Sequence, residues 1–314
     1  FYRPSEYDEA PLQSFPGGNA GIARHFVKKL NSEAIEGNSF EEILFGKILF
    51  KKLDEENKPV RIRLDSTVVS VQHEGKGKKN ERVRIVYAKD GQLNQLNAKA
   101  VVMASGGWVN RYIVKDMPEE YHKAYTYFGH SPVLVANVAL TNWRFLERLG
   151  LSAAIWSKGF GFSCNIRRPM IVGNNAQPLH PDKPIVMTFY APIYKPGLTR
   201  REQGAMGRAE ILSNSFSDYE RQIREQMTVM FSDSGFDPVN DIAGIILNRW
   251  GHAYVNPGLG FRFGVNGETP PPDIIRKPHG RIAIGHSELR GHQYWSGAAG
   301  EGRRAVESLL DLYF

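Results

Sequence analysis

From Gly280 to Val306 the chain passes from a short apolar run, Ile282 and Ile284, through Gly285 and a polar, aromatic loop into Ser296-Gly297-Ala298-Ala299 and a helical pattern beyond it. The first part reads as a buried strand, and the last as a helix whose opening turn carries only small side chains. Such a turn leaves its first backbone N–H groups bare, and bare donors at the positive end of a helix dipole attract electron-rich oxygens. Two arrangements satisfy it. A carbonyl or phosphate of a planar ligand can lie against the turn, or a neighbouring element can dock closely on the small residues; spacing alone does not choose between them.

The 314 residues have room for one large domain or two ordinary ones, and the composition, 41% hydrophobic and 23% charged, is that of a globular protein. The net charge of +7 comes from scattered basic residues with no nucleic-acid-binding motif beside them, so no nucleic-acid partner is expected. Lys76-Gly77-Lys78-Lys79 sits between two strand-like stretches and reads as a solvated hairpin tip. The one cysteine, Cys164, rules out an intrachain disulfide and a cysteine-cluster metal site, and no metal is expected. No apolar run reaches the roughly 20 residues a membrane-spanning helix needs, so the chain is not read as an integral membrane protein. Phe1-Tyr2-Arg3-Pro4 has no initiator Met and no signal-peptide character, which suggests a chain that begins partway through a longer product.

Phe15-Pro16-Gly17-Gly18 leads to a predicted helix with Asn19 as its cap and an apolar face of Ile22, Ala23, Phe26, Val27 and Leu30. Gly17 and Gly18 allow the backbone to come close to a ligand or to a neighbouring strand. Alternation predicts strands at Val60–Leu64, Thr67–Val71 and Arg82–Tyr87, the last ending at Lys89-Asp90-Gly91. Ala100 to Ala104 reads as a buried strand stopping at Ser105-Gly106-Gly107-Trp108, either a ligand-binding crossover of an open α/β sheet or a plain tight turn. Residues 117–272 read as a second module. Strands are predicted at 132–140 and 184–191 and a short helix at 142–149, followed by a long helix whose capping box is Ser217-Asp218-Tyr219-Glu220. Phe216, Tyr219, Ile223, Met227 and Met230 make its apolar stripe, expected to be core.

The stretch at Gly280–Val306 resembles the C-terminal flavin-binding signature of the FAD-dependent amine oxidase superfamily. That resemblance implies FAD as cofactor, with Gly285 and Glu288, or Ser287 in its place, beside the ribityl and phosphate chain. Gly297 and Ala298 would approach the ring's pyrimidine edge, and Tyr294 and Trp295 would lie on the flavin side. Pro16-Gly17-Gly18, Ser66 to Val71, Arg82 to Tyr87 and Val101 to Ala104 follow in the family's order, which implies cofactor contacts at Gly17, Gly18, Ser105, Gly106 and the backbone of Val69, facing adenine. Phe15 to Arg24, Val60 to Val68, Asn137 to Trp143 and Asn248-Arg249-Trp250-Gly251-His252-Ala253-Tyr254 look like the spermidine-dehydrogenase-like branch. The implied fold is α/β (α+β). Residues 1–116 and 273–314 would be parts of a flavin amine oxidase FAD-binding domain, and residues 117–272 an inserted mixed-sheet substrate domain.

The dinucleotide-binding Gly-x-Gly-x-x-Gly turn of such flavoproteins is not in this sequence; Gly300-Glu301-Gly302 is too short a match and falls within a predicted helix. The chain is therefore expected to be the C-terminal portion of a flavoenzyme and to need an N-terminal Rossmann half, separate or removed, as its partner. Many relatives carry a lysine holding a water near the flavin; Pro132 to Leu140 has none, which favours a dehydrogenase over an oxidase. The resemblance implies a small-molecule amine substrate oxidised at a C–N bond by hydride transfer to flavin N5, and an exported location. Tyr294, Trp250 and His252 are the candidate catalytic residues, His252 as a proton acceptor, although Trp250 also reads as packing and His252 as a core histidine. Two other readings stand beside this one: a flavin-dependent desaturase or isomerase acting on an apolar substrate, and a non-catalytic partner subunit of a flavoprotein.

Overall fold

The structure is a computed structural model and describes residues 15–75, 82–167, 170–174 and 178–313. The hairpin tip expected at Lys76–Lys79 and the first four residues lie outside the described residues. Two compact units are present: one takes the described residues of Phe1–Asp65 and Arg168–His180, the other those of Ser66–Arg167 and Pro181–Phe314.

In the first unit, helix α1 (Gly18–Leu30) packs on α2 (Phe40–Phe45), and Arg24 clamps the pair by donating to the carbonyls of Ile43 and Gly46. The cap of α1 is Gly17 and not Asn19, which lies inside the first turn. Gly17 has φ +77°, and a Cβ there would stand 2.9 Å from Leu44 Cδ2, so both the backbone and the helix contact require glycine. Ser39 and Glu42 form a reciprocal capping box on α2. Phe26 and Leu30, expected on a buried face of α1, are 55% and 54% exposed. The strand expected at Val60–Leu64 is not formed. Arg61 and Arg63 both turn to Asp54, at 2.7 Å each, and their ion pairs replace a ladder in holding the segment extended.

The second unit begins with an antiparallel meander, β1 (Thr67–Glu74), β2 (Arg82–Lys89) and β3 (Gln92–Ala98). Asp90 and Gly91, both at positive φ, close its second hairpin. Strand β4 (Val101–Met103) runs into α3 (Gly107–Ile113) and α4 (Glu119–Tyr125). The five-stranded sheet follows, with strand order β6-β7-β8-β5-β9. Its members are β5 (Phe128–Leu140), β6 (Ala153–Ile155), β7 (Ser163–Arg167), β8 (Ile185–Pro192) and β9 (Ile242–Pro257), with α5 (Arg144–Leu149) between β5 and β6. This sheet lies wholly within the expected substrate module.

Helix α6 (Arg200–Ser213) and helix α7 (Phe216–Phe231) intervene before β9. The capping box of α7 is Ser215 with Asp218, two residues earlier than the Ser217 reading, because Ser215 is followed by an acid at the same spacing and its hydroxyl accepts from Asp218 N–H. Ile223, Met227 and Phe231 bury that helix against Val138, Met187 and Phe189 of the sheet, so the methionine stripe is core. Phe216, expected in the stripe, is exposed, and Phe231 takes its share of the burial.

The chain ends with α8 (Pro271–Arg276), β10 (Ile282–Ile284) and α9 (Trp295–Tyr313). Strand β10 pairs in parallel with β4, residue for residue from Ile282 and Val101. Helix α9 packs on the pair through Ala305 and Leu309. A Cβ on Gly285 would lie 3.0 Å from the carbonyl oxygen of Glu301, so this glycine serves close docking of helix on strand. The far edge of β10 is closed by mutual hydrogen bonds between His279 and Ile282 (2.9 and 3.0 Å) and by Arg304 donating to the Ile284 carbonyl. Among the described residues no strand pairs with the other edge of β4, and no helix is long and apolar enough to cross a membrane.

Glu301, 1% exposed, fastens α9 in place by accepting from Arg276, Arg290 and Arg304 at 2.9, 2.8 and 2.8 Å. The hydrogen bonds from Arg276 and Arg304 outweigh the cost of burial and hold its carboxyl below the usual carboxylate range. A group with a depressed folded pKa adds stability above its unfolded pKa, here 4.5, and loses it as the pH falls through the folded value. Glu301→Ala, which strands three guanidinium groups, is expected to cost about 3–5 kcal/mol in urea unfolding. Glu301→Gln should flatten the loss of stability that the wild type shows below that pH.

Candidate functional site

The site is built where β4 turns into α3. An added Cβ on Gly106 would meet the Trp108 ring at 2.1 Å, and one on Gly107 the Tyr125 ring at 2.1 Å, so the paired glycines make room for two aromatic side chains. Trp108 then lies flat on His252, with ring centroids 4.3 Å apart and planes within 2°. It meets His130 edge-on at 4.6 Å and His286 at 5.8 Å.

His252 comes into this position through a proline. Pro132 sits inside β5, a central strand, where it cannot donate to a ladder. The β5–β9 register accordingly jumps, pairing Ser131 with Tyr254 but Val133 with Trp250, so that residues 251 to 253 bulge opposite Pro132. The bulge carries His252, and the Arg208 stem lies over its Gly251, where a Cβ would be 3.4 Å from Arg208 Cγ. Helix α6 brings Arg208 there because Gly204 and Gly207 let it approach β5: a Cβ on them would fall 2.5 Å from the His130 carbonyl oxygen and 2.6 Å from Pro132 Cγ.

Beneath the rings lies Glu288, 0% exposed. Its Oε1 accepts the Gly107 N–H at 2.6 Å, and its Oε2 lies 2.9 Å from His130 Nε2. The Glu288 N–H donates to His286 Nδ1 at 3.3 Å, which fixes the His286 tautomer with its proton on Nε2. Burial holds His286 below the usual histidine value. A cavity of about 80 Å³, lined by Trp108, Arg111, Thr126, His130, Arg201, Arg208 and His252 among others, opens over this group. Burial lowers His252 to about 4, helped by the neighbouring guanidinium groups of Arg208 and Arg111. Its Nδ1 is buried without a hydrogen-bond partner among the described residues. His252 is therefore a neutral base across the physiological range.

Of the residues singled out from sequence, His252 lines the cavity and Glu288 supports it from below, while Trp250 and Tyr294 are surface side chains, 57% and 66% exposed. Tyr294 packs beside His292 at 5.0 Å. Trp108, His130, Arg111, Arg208 and His286 were not assigned. Only Trp108 carries a local signal, a tryptophan directly after paired glycines.

The residues expected to meet FAD are in part free and in part engaged. Val69 is the unpaired residue at the β1 bulge, skipped between the Val68–Tyr87 and Ser70–Val86 pairs, so its backbone is free of the β1–β2 ladder. In the loop and helix after β10, Trp295 and Ser296 are exposed, and Gly297 and Ala298 half-buried. The Ala298 N–H donates to the Tyr294 carbonyl, and a Cβ on Gly297 would lie 3.4 Å from Arg290 Cγ. Other expected contacts are already engaged. The Ser105 hydroxyl bonds Asn110, Ser287 is buried, and Glu288 is saturated from within the chain. Gly18, in the first unit, has open space where a side chain would go.

A second polar cluster holds no ligand set. His73 Nε2 accepts the Arg281 N–H at 3.0 Å, so Nδ1 carries the proton it donates to Asp116 Oδ2 at 2.7 Å, and His73 has no lone pair left for a cation. His279 leans on this pair from 3.8 Å.

No family model matches the chain, and no curated protein matches it significantly. Solved structures do share its fold. Cyclohexylamine oxidase from Brevibacterium oxydans IH-35A matches over 78% of this chain at TM-score 0.51 and 13% identity, and putrescine oxidase bound to putrescine over 78% at TM-score 0.53 and 14% identity. A conjugated-linoleic-acid-producing fatty acid isomerase from P. acnes matches over 80% at TM-score 0.50 and 7% identity. The chain spans about half of each: 48%, 48% and 49%. At these identities the likeness establishes the fold, a mixed α/β arrangement corresponding to part of a flavin amine oxidase.

In an NMR titration the ring protons of His252 are expected to hold their neutral shifts from pH 8 down to about pH 5 and to move near its pKa of about 4. Arg208→Gln should raise that midpoint towards the usual histidine value of 6.5.

Proposed function

We propose that this chain is the FAD- and substrate-binding portion of a flavin-dependent oxidoreductase, and that it works with a complementary dinucleotide-binding half. The observation that carries the reading is the β4–β10 pair. Parallel strands are ordinarily buried in larger sheets, with ligands at their C-terminal ends. Here a two-stranded parallel pair leads at those ends into the Ser105–Trp108 turn and the loop before α9, with one edge unpaired among the described residues. The solved structures of like fold support the same reading, since cyclohexylamine and putrescine oxidases are among them.

FAD would supply the two-electron acceptor, and the backbone at Val69 and the first turn of α9 are the groups of this chain suited to hold it. The chain's own contribution to the chemistry is His252. As a neutral imidazole stacked on Trp108, it can accept a hydrogen bond from an amine already in its neutral form and set that amine's orientation. Dehydrogenation with an acceptor other than oxygen is the form of the reaction we favour, since β5 carries no lysine. Within that, the spermidine-dehydrogenase-like branch remains our reading of the Asn248 to Tyr254 segment.

A second reading, a flavin-dependent desaturase or isomerase on an apolar substrate, is favoured by a neighbouring cavity of about 710 Å³ walled by Pro132, Val133, Phe162, Tyr190, Ile193 and Tyr254, among others. The fatty acid isomerase of like fold belongs to that class.

The test is an FAD titration followed by anaerobic addition of amines. We expect the chain alone to bind FAD weakly, and the chain co-expressed with a Gly-x-Gly-x-x-Gly-bearing partner to purify yellow and bleach with amine. A complex that stays colourless leaves only the non-catalytic subunit. A yellow complex that amines never bleach rejects the amine reading. His252→Gln should leave FAD binding intact and lower the bleaching rate by about 10²-fold.

A further inference from the structure

The cavity beneath Trp108 has a charge its proposed chemistry leaves unexplained. Arg111, Arg201 and Arg208 line it, and none of them forms an ion pair with a carboxylate among the described residues. Arg208 gives one long hydrogen bond, 3.4 Å to the His130 carbonyl. Arg111 donates to the Tyr112 hydroxyl at 2.8 Å and lies over its ring, while its Nε is buried without a partner. Glu288 does not line the cavity, and its two oxygens are engaged by Gly107 and His130. Arg201 is exposed, but Arg111 and Arg208 are half-buried, and half-buried guanidinium groups without an anion are costly. Elsewhere in the chain Glu301 alone gathers three arginines, and Asp54 two.

We infer that Arg208 and Arg111 anchor a carboxylate of the substrate in this cavity, placing the substrate's reacting end beside Trp108 and His252. Size agrees with a head group. About 80 Å³ is room for a carboxylate and the first carbons behind it, and far too little for an isoalloxazine. Guanidinium donors match a carboxylate in number and plane. Burial is the main cause of the low His252 value, and the part that Arg208 and Arg111 add to it would be relieved by an anion. A free polyamine, cationic along its length, meets no compensating acid here.

The inference rests on the flavoenzyme reading only in calling the ligand a substrate. It implies a molecule with a carboxylate at one end, an amino acid if the amine reading holds, a fatty acid if the apolar one does.

The experiment is isothermal titration of the full chain, with and without FAD, using hexanoate, hexylamine and inorganic phosphate at constant ionic strength. Hexanoate should bind and hexylamine should not. Arg208→Gln and Arg111→Gln should each weaken hexanoate by about ten- to hundredfold, the worth of one charge-assisted hydrogen bond. If circular dichroism shows that Arg208→Gln is unfolded, Arg111→Gln carries the same expectation. Equal binding of hexanoate and hexylamine, binding of neither, binding of phosphate alone, or unchanged hexanoate affinity in a folded variant overturns the inference. Flavin absorbance is read separately. Hexanoate selectivity in the chain, with no FAD taken up by its complex with a Gly-x-Gly-x-x-Gly-bearing partner, would sink the flavoenzyme reading and leave the carboxylate site standing.

Discussion

A buried carboxylate joins the three segments that make the site. Glu288 reaches the backbone of the β4–α3 turn at Gly107 and the β5 histidine at position 130, while its own N–H orients His286. With no exposure, it must have these partners or be neutral, since an isolated buried charge is expensive. Each partner is thereby held in position. Gly107 must present its N–H, so α3 starts there and sets Trp108 against the cavity; His130 must turn inward, so β5 begins facing Trp108.

Charge is distributed unevenly around this centre. Acids lie inside, each saturated by its own donors, as Glu288 and Glu301 are. The arginines of the cavity face open space with little to satisfy them. Satisfied groups fix the fold, and unsatisfied ones store an unmet electrostatic demand, which is the state expected of a site waiting for a ligand. The aromatic stack between Trp108 and His252 adds a rigid floor whose histidine stays uncharged at neutral pH.

Much of the fold could be read from local patterns. The β4 and β10 runs, the meander, the Gly/Ala start of α9 and the core stripe of α7 follow from periodicity and small-residue placement. Val60–Leu64 could not, because alternation there serves two arginines meeting Asp54. His252 and Trp250 are both candidates from sequence, and the structure puts the first in the cavity lining and the second on the surface. Both lie on β9, and only a register jump opposite Pro132 sends one inward and leaves the other on the surface. Long-range pairing of that kind leaves no trace in neighbouring residues. Arg208 and His130 were hidden for the same reason, since their proximity depends on α6 docking through Gly204 and Gly207.

The bond from Gly107 to Glu288 spans 181 positions of the chain. Closing so long a loop for a three-residue parallel ladder is entropically unrewarding until the intervening sheet has condensed. On that ground the antiparallel sheet is expected to form before β10 pairs with β4 and brings Glu288 to Gly107. The cavity is lined by residues 107 to 252, yet Gly107 and His130 are held by an acceptor outside that stretch of chain. Removing the segment that carries Glu288 would take this acceptor away, while the antiparallel sheet keeps its own pairings.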